Sequence, residues 1–551
     1  MKKKIAVSVM IFSLLAIILP MFSGCSGQRT VQIDSTKTQL YVYNYDGGVG
    51  TDWLERVQER FENEYAETKF EPGVMVNGVE KKGVQIVISA EKSVPTATLA
   101  SSNNEVFFLQ TINYNELASQ GRLLDISDIM TKKLPGEEKT LADKLLPSQL
   151  SAFSALNGNY YVLPHYEIIS GLTYDVDLFE EKKFFIKDDG TWTNFEESYN
   201  EDPALCRLSA GPDGIKGNYD DGLPANYGQL EKLCIRMSQL GVTPFVWAGQ
   251  LQHYFNYLFG ALWCKYQGAE EMSYNVTHNS GAKTTRVISS FNGTEPVLEE
   301  VQIPGANLSM LKRQAGKYYA VEFLSKIFEN NWYNPAFTAG TVSHLDAQAA
   351  FVFGRLEGAP IGMLIEGNYW YHEASDAIRR SENTYSDEAK NRRLAWMPLP
   401  GVPGDTPVTE ENGVKDSAYD LVSAFAFINN NISSDENKKA LAKLFLQYCY
   451  TDESLQDFTM VTGLRRGVQY ELKDEQFGQM NYYFQSLYTF LKNADVLYPY
   501  SDTEDFVRNQ GSYNFTQHSS MFQSNIDGTF QTAFALLKRD VSAKDFFVGM
   551  W

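Results

Sequence analysis

The chain has 551 residues, 43% of them hydrophobic and 13% aromatic, and a formal net charge of −20. That length is more than one hydrophobic core fills and suits two or three domains, while the apolar content excludes a disordered chain. The acidity repels phosphate backbones and argues against nucleic acid as a partner.

In chain order, Lys2, Lys3 and Lys4 precede the apolar run "IAVSVMIFSLLAIILPMF", which closes on "SGCSG". A basic start, an apolar segment and small residues at its end make a secretory signal over 1–24, with a polar tether over 25–37. A transmembrane helix of about 18 residues is the alternative for this run. "QLYVYNYDG" then alternates as a strand does, and "DWLERVQERFENEYAE" places Trp53, Val57, Phe61 and Tyr65 at helical spacing. "GVQIVIS" and "NEVFFLQ" follow as strands, and "NYNELASQGRLLDISDIM" as a helix stopped at Gly121.

"NGNYYVLPHYEIISGLTYDVDLF" reads as two strand-like pieces joined at Pro164, and "ANYGQLEKLCIRMSQLG" as an amphipathic helix leading to the strand "VTPFVWAG". Helical patterns cover 251–264, 312–331 and 344–356. "GAPIGMLIEGNYWY", "LAWMPLPGVPG" and "YDLVSAFAFI" are strand-like, "SSDENKKALAKLFLQYCY" is a capped helix, and the last hundred residues read mostly helical. Strands alternating with helices imply an α/β fold with a largely parallel sheet.

The cysteines beyond the signal, Cys206, Cys234, Cys264 and Cys449, have no CxxC or metal-ligand spacing. Cys206 and Cys234 flank the acidic loop "GPDGIKGNYDDGLP" at 211–224, and a bridge between them stays open. The chain has no HExxH, GxSxG, P-loop or GxGxxG. A glycosidase needs only two carboxylates across a cleft, so that rival survives on residues alone.

The order of these pieces resembles the extracellular solute-binding proteins of bacterial ABC importers, the maltose-binding-protein type. "LASQGRLLDIS" resembles the family's G-x-L-x-D-L segment, and "NGNYYVLPHYEIISGLTYDVDLF" its YgvP…YNkdlF signature, with Asp175 where Asn is usual. "PANYGQLEKLCIRMSQLGVTPF" resembles its P-x-T-w-d-E-l segment, "GAPIGMLIEGNYWY" its G-x-W segment, and "MPLPGVPG" its P-l-P turn. "NKKALAKLFLQYCYTDESLQDFTMVTGLRRGV" resembles its last helical motif, with Arg465 and Arg466 where Pro is frequent. "SGCSG" resembles the lipobox of bacterial lipoproteins, with Phe22 in place of Leu, which implies lipidation at Cys25.

The resemblance implies a two-lobed periplasmic-binding-protein-like fold of type II, with interdigitated lobes, a hinge and an interlobe cleft. It places lobe one at 38–166 and 398–450 and lobe two at 167–397 and 451–551. It implies a monomer without catalytic residues, lipid-anchored at the extracellular face of the bacterial cell membrane, that captures a carbohydrate and delivers it to an ABC permease. A surface glycan binder without a transport role and a peptide binder are the alternatives.

Ligands of open α/β sheets bind beyond the carboxyl ends of strands. That rule selects Tyr45, Asp46 and Gly47, then Gln110, Thr111 and Asn113, and His165, Tyr166 and Glu167 at the first crossing. In lobe two it selects Trp247, Glu366, Asn368, Tyr369 and Trp370; Tyr369 matches the aromatic of the family's G-x-W. One face of a sugar is mostly C–H and stacks on flat rings, while its hydroxyls need fixed donors and acceptors. The acidic loop lies apart from these strand ends. It resembles calcium clips of other exported proteins, which would use Asp213, Asp220 and Asp221 with oxygens of Ile215 and Asn218, in a structural role.

Overall fold

The first strand, β1 (Thr38–Tyr45), alternates buried and half-buried side chains, because one face meets the core and the other a layer of helices. Helix α1 (Asp52–Glu64) follows and buries Trp53, Leu54, Val57 and Phe61, the 3–4 spacing of one apolar face. The computed structural model describes residues 32–551 except 94, 156, 278–282, 304–307, 502–505 and 507–519. Cys25, the signal and most of the tether lie outside the described residues. No helix among the described residues is long and apolar enough to cross a membrane.

Strands β2 (Val84–Glu91), β3 (Val106–Gln110), β4 (Val162–Pro164) and β9 (Ala424–Ile428) join β1 in a five-stranded sheet of order β2-β1-β3-β9-β4. β1 runs parallel to β2 and β3, and β9 runs antiparallel to both its neighbours. The second sheet is built from β5 (Ser170–Asp175), β6 (Thr243–Val246), β7 (Ile361–Gly367) and β8 (Leu394–Trp396), in the order β6-β7-β5-β8. β6 and β7 are parallel, and β5 lies antiparallel to β7 and β8. Every residue of β5, β7 and β9 is buried, as expected of strands covered on both faces. A late strand, β9, returned into the middle of the first sheet interlocks two α/β lobes of the type II binding-protein fold.

Beside the second sheet, α2 (Phe255–Gln267) is buried along its whole length. Gly260 lets it approach the crossing segment, since a Cβ there would fall 2.1 Å from the Tyr419 hydroxyl. Helix α3 (His344–Gly354) covers β7, and α4 (Asp452–Thr462) packs on α1, where Arg60 pairs with Asp457 at 2.6 Å.

Several elements differ from their sequence reading. "VDLF" leaves the strand pattern and starts the helix Val176–Lys182, capped by the Asp175 side chain accepting from the Leu178 N–H. "NYNELASQGRLLDISDIM" splits into Tyr114–Ser119 and Ser127–Met130, because Leu123 bridges to Asn429 beside β9. A hairpin, Thr284–Asn292 with Glu295–Gln302, occupies a stretch that carried no strand reading, and a second, Gln523–Ile526 with Thr529–Thr532, interrupts the last hundred residues.

Contacts also cut across the expected lobe limits. Helix α4, assigned by resemblance to lobe two, packs on lobe one. The segment 402–414, assigned to lobe one, bonds to lobe two: the Tyr227 N–H donates to Val402 O at 3.0 Å and the Val414 N–H to Pro212 O at 3.1 Å. Cys206, Cys234, Cys264 and Cys449 are free and buried, so Cys206 and Cys234 form no bridge.

Candidate functional site

The carboxyl ends of β1, β3 and β7 meet between the lobes. From lobe one come Tyr45, Asp46 and Gly47, each half-buried, and Gln110, whose Oε1 accepts a hydrogen bond from the Tyr166 hydroxyl at 2.8 Å. The turn after β1 then reaches lobe two. Gly48, at φ +77°, comes so near Tyr369 that a Cβ on it would lie 3.5 Å from the Tyr369 Cβ. Glycine serves here by its conformation, since a side-chain carbon at that distance would make only ordinary contact.

From lobe two, β7 delivers Glu366 and the following turn delivers Tyr369. The Tyr369 hydroxyl lies 3.2 Å from both the Tyr254 and the Tyr257 hydroxyls, so three phenols converge. Beneath them Glu366 is buried. Gln348, from α3, donates to Glu366 Oε2 at 3.4 Å and to Glu373 Oε2 at 3.0 Å, tying the two carboxyls together. His344 Nε2 stands 3.9 Å from Glu373. Burial first, and the neighbouring Glu373 charge second, push the Glu366 carboxyl well above its usual range. Glu373 is also raised by burial, against the opposing pull of Gln348, His344 and Lys92, the last from lobe one. A carboxyl pushed toward its neutral form in this way can offer a donor and an acceptor on one group, which is what a hydroxyl-rich ligand requires.

The structure therefore brings together Tyr45, Asp46, Gln110, Tyr166, Glu366 and Tyr369 of the expected residues. It adds Tyr254, Tyr257, Gln348, Glu373 and Lys92. Tyr254 and Tyr257 lie in the 251–264 stretch that reads as helical, and none of these five residues carried a site reading in the sequence.

Other expected residues have different occupations. Trp247 is inside lobe two, its ring 5.1 Å from Phe255 and 5.4 Å from Tyr333. Trp370 is fully buried; its helix turns the indole back to the sheet, where Nε1–H donates to Thr173 Oγ1 at 3.0 Å. Asn368 clamps the crossing segment by accepting from the Ile169 N–H at 3.2 Å and donating to Glu167 O at 3.1 Å. Asn113 caps a helix through the Glu116 N–H. Glu167 is buried, accepts from the Tyr498 hydroxyl and is raised by burial against the pull of Arg465. His165 is fully enclosed by Trp53, Phe108 and Tyr166, and burial holds it well below its usual pKa.

The acidic loop stands away from this cleft and braces 409–416. Asp213 accepts from the Ile215 N–H at 2.7 Å and from Asn218 Nδ2 at 2.7 Å, while Asn218 Oδ1 accepts from the Asp220 N–H at 3.1 Å. Asp220 and Asp221 are both 1% exposed, and Oδ1 of each has no hydrogen-bond partner. Burial, then the charges of Asp213 and Asp416, push the Asp220 carboxyl up to about 8. Two orphaned buried carboxylate oxygens fit a cation. Among the described residues, however, no three His, Cys, Asp or Glu side chains form a ready ligand set, so backbone carbonyls would have to complete the shell.

Residues 47–262 match the family model described as bacterial extracellular solute-binding protein. No curated protein sequence matches the chain. Among solved structures, a chitin oligosaccharide binding protein aligns with a TM-score of 0.44 at 14% identity, covering 81% of this chain and 83% of its own.

Proposed function

We propose, from the match of residues 47–262 to the bacterial extracellular solute-binding proteins, that this chain is a binder rather than an enzyme and that its solute is a carbohydrate, most simply an oligosaccharide. The protein takes it up between closing lobes and passes it to an ABC permease, held at the extracellular face of the cell membrane by a lipid on Cys25. The observation that carries this reading is the triad of Tyr254, Tyr257 and Tyr369 hydroxyls over the Glu366–Gln348–Glu373 chain. It supplies ring faces and paired donors and acceptors together, and Tyr45 and Gln110 stand opposite.

Losing one partner of such a polar set leaves a buried group unpaired, which is how the cleft would tell sugars apart. A thermal-shift screen against mono- and oligosaccharides, with peptides as a second panel, tests the reading. A sugar at about 100 times its Kd should add roughly 2.7 kcal/mol of stability and be recovered intact. A response only to peptides, or recovery of cleaved sugar, overturns it. The same assay on vesicles from cells carrying Cys25→Ser should find the protein released from the membrane.

For the acidic loop the reading is a structural calcium ion on Asp220 and Asp221, with Asp213 and carbonyl oxygens of the loop nearby. A carboxyl raised in the fold keeps a proton that the unfolded chain gives up. The stability this adds is complete below the unfolded pKa near ~4 and is lost as pH rises through about 8. In EDTA, melting temperature should therefore fall between pH 5 and pH 8. Added calcium should flatten that slope, because the ion holds Asp220 ionised. An identical slope with and without calcium rules the ion out.

A further inference from the structure

Arg466 follows α4 in the turn "TGLRRGV" and is fully buried. None of its three guanidinium nitrogens has a hydrogen-bond partner, and among the described residues no carboxylate pairs with it. Its neighbour Arg465 differs, since it faces the Glu167 carboxyl. The Arg466 Cζ instead lies 4.5 Å from the Phe458 ring centroid, 4.6 Å from Trp53 and 5.0 Å from Tyr450. Ring faces attract a cation from above and below, but they leave the in-plane N–H groups unmet. A guanidinium does not shed its charge to escape burial, as a lysine can. An uncompensated charge in such surroundings is therefore costly.

Two further buried polar groups beside it are also without partners, the Trp53 indole Nε1–H and His165 Nδ1. The His165 ring centroid is 5.2 Å from that of Trp53, and the histidine feels the Arg466 charge. A neutral imidazole can place its one proton on Nδ1, so all three groups can act as donors. The Tyr450 hydroxyl donates to Pro164 O at 2.6 Å, and its oxygen can still accept from Arg466, but a neutral phenol does not balance the charge. Nor does the Cys449 thiol, which burial pushes up to about 12 and so keeps neutral.

We propose that Arg466, Trp53 and His165 hold a small monovalent anion, chloride, enclosed in lobe one. The charge asks for one negative charge, and each of the unmet groups can donate to it. The enclosing rings, all buried, supply no further donors, which disfavours a more strongly hydrated anion such as phosphate. The ion is taken up as the chain folds, and it stabilises the root of the first crossing, where the His165 N–H donates to Ala424 O at 2.8 Å.

The test is independent of the solute. The protein is unfolded in urea and refolded at equal ionic strength in sodium chloride, sodium bromide or sodium gluconate, then melted, and crystals grown in bromide are measured at the bromine absorption edge. The melting temperature should be a few degrees higher in either halide than in gluconate. An anomalous peak should lie within hydrogen-bond distance of the Arg466 guanidinium. In Arg466→Met the halide dependence should vanish. Should that variant not fold, the bromide peak in the unaltered protein decides alone. Crystals with no peak at Arg466 overturn the proposal.

Discussion

Replacing Tyr369 with alanine is expected to weaken solute affinity by about 30- to 1,000-fold, with little change in the melting temperature of the free protein. Tyr369 is half-buried at the meeting of the lobes, and its hydroxyl is the shared partner of Tyr254 and Tyr257. Its removal takes away a ring contact of ~1 kcal/mol beyond area burial and the hydroxyl that Tyr254 and Tyr257 share, at ~1–3 kcal/mol. A total of roughly 2–4 kcal/mol is the fold-change above. Tyr369→Phe keeps the ring and should lose only about tenfold. Calorimetric titration with the sugar found in the screen measures both. An affinity for Tyr369→Ala within about threefold of the parent would move the solute off this wall.

Lys265→Met is expected to cost about 3–5 kcal/mol in urea unfolding, the largest loss from any single change considered. The Lys265 Nζ donates to Asp416 Oδ1 at 2.7 Å and to Val414 O at 2.5 Å, with both side chains of the pair at most 3% exposed. Asp416 also accepts from the Tyr219 hydroxyl, in the acidic loop. Without the lysine the Asp416 charge stands uncompensated beside Asp213 and Asp220, each of which already feels it. The double variant Lys265→Met/Asp416→Leu removes both charges and should recover most of the loss. If the single variant lost less than about 1 kcal/mol, another positive charge, such as the loop's own cation, would be balancing Asp416.

Much of the framework was legible because it rests on periodicity. The strands at Val84, Val106 and Ile361 and the helices at Asp52, Tyr227 and Glu436 are regular patterns, and regular patterns survive without tertiary information. The strand-end rule likewise pointed to Tyr45, Gln110, Glu366 and Tyr369, which lie together where the strand ends meet. It failed where a chain turn decides a side chain's direction. Tyr369 and Trp370 are adjacent and equally aromatic, but the chain turn sends the Tyr369 ring to the Tyr254 and Tyr257 hydroxyls and the Trp370 ring into the core. Tyr254 and Tyr257 were invisible for a related reason, since three-residue spacing marks a helix face without saying whether core or cleft lies against it. The lobe limits came from the resemblance, whereas the packing of α4 on α1 through Phe458 and Trp53 and the bonds of 402–414 to lobe two are tertiary contacts that periodicity does not assign to a lobe.

The approach of Gly48 to Tyr369 bears on time rather than on affinity. Where the two lobes already touch at one edge, a bound solute cannot leave along that edge until the lobes part. Its residence would then be timed by the opening motion, and variants that enlarge residue 48 should change the dissociation rate before they change the chemistry of recognition.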